Sequence, residues 1–238
     1  MTGSPGYDVA LVAGVRAALA SAGDPVRAAG QQRYMRSTLP FHGVTLPEVR
    51  RLVAHQLRHH PPGDRATWEA TVRELWDGAT HREERYAAVA VARDRVAAGW
   101  RDAELLGLCH HLVVTGAWWD LVDETAGHLV GPVLLAHRAE VTPVVDAWAT
   151  GEDLWLRRTA ILSQLGHGAA TDTALLERCV VANLEGSPFG GEFFVRKAIG
   201  WALRQHARTD PIWVLDLVRR HGARMSGLTV REATKHLR

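Results

Sequence analysis

The segment of this chain best suited to chemistry is Trp118-Trp119-Asp120-Leu121-Val122-Asp123. On a helix advancing about 100° per residue, Trp118 shares an arc with Leu121, Val122, Thr125 and Leu129, which is a core stripe. Trp119 points about 100° away, and Asp123 follows it at i+4, about 40° round the wheel. An indole and a carboxylate are thereby presented together on a face that the core does not need. The plain reading is a partly exposed ring beside a solvated acid. The chemical reading is an aromatic surface next to an anion, suited to recognising or stabilising a cation.

A second segment is Trp155-Leu156-Arg157-Arg158-Thr159-Ala160-Ile161-Leu162. Arg158 lies at i+3 from Trp155 and i−4 from Leu162, among apolar positions, so its guanidinium requires an anion there. Two partners fit: an internal carboxylate or a ligand phosphate. Arg157 is expected to face water.

The third segment runs from Phe193 to Arg208. With Phe194 at 0°, Lys197, Trp201, Arg204 and Arg208 fall within one arc of about 80°, while Val195, Ala198, Ile199, Ala202 and Leu203 fill the opposite side. Cations interleaved with aromatics suit phosphate contact combined with stacking; a solvated basic face with snorkelling side chains is the plain alternative. The wider charge distribution favours a polyanion. Formal net charge is only +2, but Arg196 to Arg238 holds ten basic residues against three acidic ones, leaving the rest of the chain at −5. Lysine occurs only at 197 and 235, so nearly every cation is an arginine, the better fork for phosphate.

Other candidates are weaker. His55 and His59 are i, i+4 but have no third ligand in register and no H-E-x-x-H pattern, so no metal site is expected. Gly190-Gly191 lacks the Lys-Ser/Thr pair of a phosphate-cradling loop. Cys109 and Cys179 make neither a disulfide framework nor a zinc site by themselves.

The elements that must position these residues are helices. The chain of 238 residues is 47% hydrophobic and 23% charged, an ordinary globular balance with no run long enough for a membrane helix. Val9 to Ala22 lacks preceding Lys or Arg and contains Arg16, so it reads as a core helix and not a signal peptide. A reduced, cytoplasmic protein is expected. Gly23-Asp24-Pro25 separates two opening helices. Thr45-Leu46-Pro47-Glu48 starts one reaching about His60, Pro61 to Asp64 leads into the next, and Thr80-His81-Arg82-Glu83 supplies another capping box. Later boundaries are marked by Asp102, Thr115-Gly116, Pro132, Thr142-Pro143, Asp153, Asp172, Gly190-Gly191, Asp210-Pro211 and Ser226. No segment alternates long enough for a strand. Twelve to fourteen helices in pairs recurring every 35 to 45 residues or so predict an all-α fold of HEAT-like helical-pair repeats in a curved superhelical solenoid. One domain spanning residues 1–238 is expected, with residues 1–7 a flexible tail.

Four stretches in order resemble the bacterial DNA-alkylation-repair family of HEAT-repeat DNA glycosylases, the AlkD-like proteins. They are Tyr34-Met35-Arg36 with Phe41 to Val44, Trp118 to Asp123, Trp155 to Leu162, and Phe193 to Arg204. The resemblance implies excision of positively charged N3- or N7-alkylated purines from double-stranded DNA, by a monomer, without a cofactor. It implies Asp123 as the catalytic carboxylate, Trp119 as its aromatic neighbour, Arg158 as the active-site arginine and Trp201 as a second aromatic wall. Tyr34 is a looser match near the same cleft. It further implies engagement of the lesion through its backbone, without a deep base pocket.

The residue types suit that chemistry. A cationic purine leaves as a neutral base and needs no general acid. Negative charge is needed where C1′ becomes oxocarbenium-like, with a place for water, and one carboxylate supplies both. A non-catalytic HEAT-like protein binding bent or branched DNA is the alternative, although a carboxylate near phosphate would weaken such binding. A scaffold for another protein is a third reading, which the basic aromatic stripe disfavours.

Overall fold

Local capping starts most of the helices. In the computed structural model, which describes residues 6–237, Asp8 caps α1 (Val9–Ser21) and Asp24 caps α2 (Pro25–Met35). Then come α3 (Leu46–His59), α4 (Arg65–Asp77) and α5 (Arg82–Arg93), followed by a 3-10 turn at Arg95–Trp100. These elements form one compact unit that ends at Arg101. Its core is built from Leu11, Val15 and Leu19 on α1, Val49, Val53 and Leu57 on α3, and the fully buried Trp68 and Trp76 on α4. Helix α2 buries no residue and is held by its edges, through Arg27 Nη1 to the Gly43 carbonyl at 2.7 Å and Gln31 Nε2 to that of Val44 at 3.2 Å.

The capping box expected at Thr80 to Glu83 is closed by the next acid. Glu84 Oε1 accepts from the N–H groups of Thr80 and His81 and from Thr80 Oγ1, while Oε2 accepts Arg16 Nε at 2.8 Å. Burial opposes ionisation of Glu84, but these donors hold its carboxyl below the usual range. Glu83 instead gathers the N–H groups of His42, Gly43 and Val44, fastening the Phe41 to Val44 connector to α5.

The second unit begins at Asp102. It comprises α6 (Leu105–Gly116), α7 (Trp119–Thr125), α8 (Gly131–Ala136), α9 (Arg138–Thr150), α10 (Leu154–Leu162), α11 (Thr173–Val181), α12 (Phe193–His206), α13 (Pro211–His221) and α14 (Gly227–Ala233). A π-helical turn, Ala126–Val130, joins α7 to α8. Helix α10 is central: it packs against α6, α7, α9, α11 and α12, and every residue from Leu156 to Leu162 is buried. Asp153, Asp172, Asp210 and Ser226 cap α10, α11, α13 and α14 as expected.

Among the described residues all regular structure is helical, which agrees with the all-α expectation. No single helix is long and apolar enough to cross a membrane. Residues 1–5 of the expected tail, and Arg238 of the basic segment, lie outside the described residues. One expected boundary, Thr142-Pro143, is not a helix end, whereas Pro132 does mark a helix start. Pro143 sits inside α9, because its missing N–H and the Ala139 carbonyl it would have served both lie on the exposed side. Pro132 lies in the first turn of α8, just after the π turn whose Gly131 N–H returns to the Ala126 carbonyl.

Candidate functional site

Helix α7 starts abruptly. Ala117 takes a left-handed conformation at φ 41°, its N–H bonded to the Val113 carbonyl at 3.0 Å, and this ends α6. Trp118 is extended, and its carbonyl accepts from Leu121 and Val122 to open α7. Trp118 therefore precedes the helix, half-buried, where a position on a helical core stripe was expected. Leu121, Val122 and Thr125 do bury as that stripe requires. Trp119 and Asp123 occupy successive turns of α7, Trp119 half-buried.

The Asp123 carboxylate is no solvated acid, since its side chain is only 14% exposed. Arg158 meets it side-on from α10, Nε to Oδ1 at 2.7 Å and Nη2 to Oδ2 at 2.8 Å. The guanidinium is 5% exposed, and its Nη1 bonds the Phe194 carbonyl at the start of α12. Of the two partners expected for Arg158, the structure thus shows the internal carboxylate. Burial pushes the Asp123 carboxyl above its ordinary value, with Arg158 opposing and the neighbouring acids Asp120 and Glu124 adding to the rise. Each oxygen still keeps a lone pair for a further donor or a cation.

Asp123 lines a cleft of about 490 Å³ together with Glu124, Gly127, His128, Leu165, Gly166, Trp201 and Gln205. The π turn brings Gly127 and His128 to this wall, next to Asp123. A π turn widens the helix, and such turns cluster at functional sites. The segment is anchored at Gly131, where a Cβ would fall 2.6 Å from the Ser163 carbonyl oxygen at the end of α10. His167 Nε2 also lies 2.9 Å from the Gly131 carbonyl.

Helix α12 supplies Trp201 and, one turn on, Gln205. The rest of its expected stripe divides. Phe194 turns inward onto Trp118 and Trp155, with ring centroids 5.5 and 5.2 Å away. Lys197 Nζ lies 3.4 Å from Glu232 Oε1, and Arg204 Nη1 bonds Glu232 Oε2. Gly200 makes this possible, because its missing side chain lets α14 approach: a Cβ there would fall 2.6 Å from Glu232 Cβ. Arg208 is exposed.

One further expectation needs correction. Arg157, expected in water, is 5% exposed. It donates to the carbonyls of Thr150 and Gly151 and to Asn183 Oδ1, so it clamps the carbonyl end of α9. Tyr34 lies in the first unit, near the end of α2, and is exposed. His128 and Gln205 were not singled out from the sequence. Gln205 was within reach, standing at i+4 from Trp201, whereas His128 depends on the π turn, which no local pattern announces.

His55 and His59 sit with ring centroids 4.9 Å apart. His42, His81 and Glu84 bring potential ligand atoms within 4.8 Å of one another. The Glu84 oxygens there already serve Thr80, His81 and Arg16, so the group reads as a hydrogen-bonded junction. Both cysteines are free and buried, and burial pushes the Cys179 thiol up to about 12.

Residues 15–237 match the sequence model of a family described as DNA alkylation repair enzyme. No curated protein matches the chain. Among solved structures, a chain titled "Predicted DNA alkylation repair enzyme from Enterococcus faecalis" superposes with a TM-score of 0.79 at 28% identity, covering 90% of this chain and 96% of that one. An acid–arginine pair beside an indole-walled cleft thus stands on a fold similar to that structure, and this protein belongs to the DNA alkylation repair enzyme family.

Proposed function

We propose that this protein is a monofunctional DNA glycosylase that hydrolyses the N-glycosidic bond of positively charged N3- or N7-alkylated purines in duplex DNA. Family membership supplies the repair role and DNA as the substrate. The observation that carries the chemistry is the Asp123 carboxylate, mostly buried and held side-on by Arg158, on a residue that lines the same cleft as Trp201.

A purine alkylated at N3 or N7 takes the electrons of its C1′–N bond and departs as a neutral base, leaving positive charge on C1′ and the ring oxygen. Asp123 provides the opposing charge in surroundings of low dielectric, where it acts more strongly than in water. The free lone pair of one oxygen orients a water toward C1′. The C1′–O bond forms as the C1′–N bond breaks, and the water proton passes to the carboxylate or to solvent. Arg158 keeps both oxygens in one plane and one place. The indole faces of Trp201 and Trp119 favour a cation over bulk water. Arg208, and Lys197 and Arg204 to the extent that Glu232 leaves them charge, contact phosphate. Tyr34 contributes a further DNA contact.

The test is release of free 7-methylguanine or 3-methyladenine from methylated duplex DNA without added metal. Base release that disappears in Asp123→Asn supports the reading. Tight binding to bent or branched DNA with no base released replaces it by a non-catalytic binder.

A further inference from the structure

Three aromatic residues, each at the start of a different helix, meet in one cluster, and Phe194 among them lies over the buried Arg158 guanidinium. Trp118 immediately precedes α7, Trp155 lies in the first turn of α10, and Phe194 lies in the first turn of α12. Their ring centroids are mutually 5.2 to 6.1 Å apart. These are the three helices that carry Asp123, Arg158 and Trp201. Phe194 touches the ion pair in two ways: its carbonyl accepts from Arg158 Nη1, and its ring centroid lies 5.8 Å from Arg158 Cζ. The buried Trp118 Nε1 has no hydrogen-bond partner among the described residues. Buried indoles ordinarily find one, so packing alone places this ring.

We propose that Trp118, Trp155 and Phe194 are positioning residues for the proposed reaction, a three-ring clasp that sets the register of α7, α10 and α12 and thereby fixes the Arg158 guanidinium against the Asp123 carboxylate. The inference rests on Asp123 being the reacting group. Tilted and edge-on contacts between rings, together with the face-on contact to a desolvated arginine, resist sliding and rotation more than aliphatic packing of equal volume. Only then does Arg158 hold both carboxylate oxygens at once.

The clasp acts on a measurable quantity. The charged groups acting on Asp123 are Arg158 from α10 and Asp120 and Glu124 from its own helix, and the cleft it lines also holds His128 from the π turn and the non-titrating Trp201 and Gln205 from α12. Among these Arg158 is the one fixed cation. Loosening it leaves burial and the two acids less opposed, and the carboxyl rises further.

Phe194→Leu keeps the carbonyl and most of the volume but removes the ring. In the free protein, the Asp123 midpoint followed by carboxyl carbon NMR is expected to move up relative to wild type. The acidic limb of single-turnover excision moves with it, kcat falls several-fold at neutral pH, and KM stays nearly constant. Phe194→Tyr is expected to restore all three. An Asp123 midpoint unmoved in Phe194→Leu overturns the inference, whatever happens to the melting temperature. Should that variant fail to fold, Trp155→Phe, which shrinks one ring without removing it, is expected to show a smaller upward shift, and an unmoved midpoint there overturns the inference equally. Because the NMR titration needs no DNA, a wild-type protein that releases no base removes the reading of the reaction and leaves the test of the clasp intact.

Discussion

Arg158 and Asp123 bind side-on across α10 and α7, with two nitrogens on two oxygens at 2.7 and 2.8 Å and both side chains largely withdrawn from water. Each partner makes the other's burial tolerable. Breaking such a pair from one side strands the other charge, at a cost of about 3–5 kcal/mol. Arg158→Ala should therefore lower unfolding free energy by that order in chemical denaturation, and Arg158→Lys by less, because an ammonium cannot serve both oxygens. A loss within the error of the fit for Arg158→Ala would contradict the buried pairing.

The pH dependence follows from the same pair. Burial raises the Asp123 carboxyl above its ordinary value, and the proposed excision requires the ionised form. Activity should be full above the raised midpoint and lost as pH falls through it, so the acidic limb lies above the ordinary aspartate value of about 4. Arg158→Gln removes the opposing cation and should move the limb higher still. Single-turnover rates across pH, at saturating enzyme, check both statements. A limb at or below about 4 would show that a different group titrates.

Trp201 gives a graded prediction. A cation held against an indole is worth about 0.5–2 kcal/mol, so Trp201→Ala should slow excision of a cationic base by about 2- to 30-fold at 1.4 kcal/mol per decade. Trp201→Phe should fall in between. Equal rates for wild type and Trp201→Ala in a single-turnover assay would remove this wall from the site.

Glu232 modifies the electrostatic picture. It sits between Lys197 and Arg204 and offsets part of their charge, whereas Arg208 is exposed. Arg208→Ala should flatten the dependence of DNA affinity on salt by about one phosphate contact, a slope change near 0.9. Glu232→Gln should steepen that dependence by releasing Lys197 and Arg204. Titrations at several salt concentrations read both, and unchanged slopes would place α12 away from DNA.

Helix starts were legible in the sequence because a cap is a local device. Asp24, Asp64, Asp153, Asp172, Asp210 and Ser226 each accept from an N–H two or three residues ahead. The pairing of Trp119 with Asp123 on one helix and the need of Arg158 for an anion were legible for the same reason. Arg157 was misread because a helical wheel assumes one face toward water, and α10 has none between Leu156 and Leu162. The stripe on α12 looked more strongly cationic than it is, since Glu232 lies 28 residues beyond Arg204 and reaches it only through the approach of α14 at Gly200. The inward turn of Phe194 likewise depends on Trp118 and Trp155, which stand on other helices.

The central claim concerns the charge on one side chain. Single-turnover release of 7-methylguanine from methylated duplex DNA, compared between wild type and Asp123→Asn at equal occupancy, measures it directly. Removing one electrostatic stabiliser of a transition state costs about 2–4 kcal/mol, so the amide variant should excise about 30- to 1,000-fold more slowly while binding the DNA as tightly. An amide variant that excises at the wild-type rate would contradict the account.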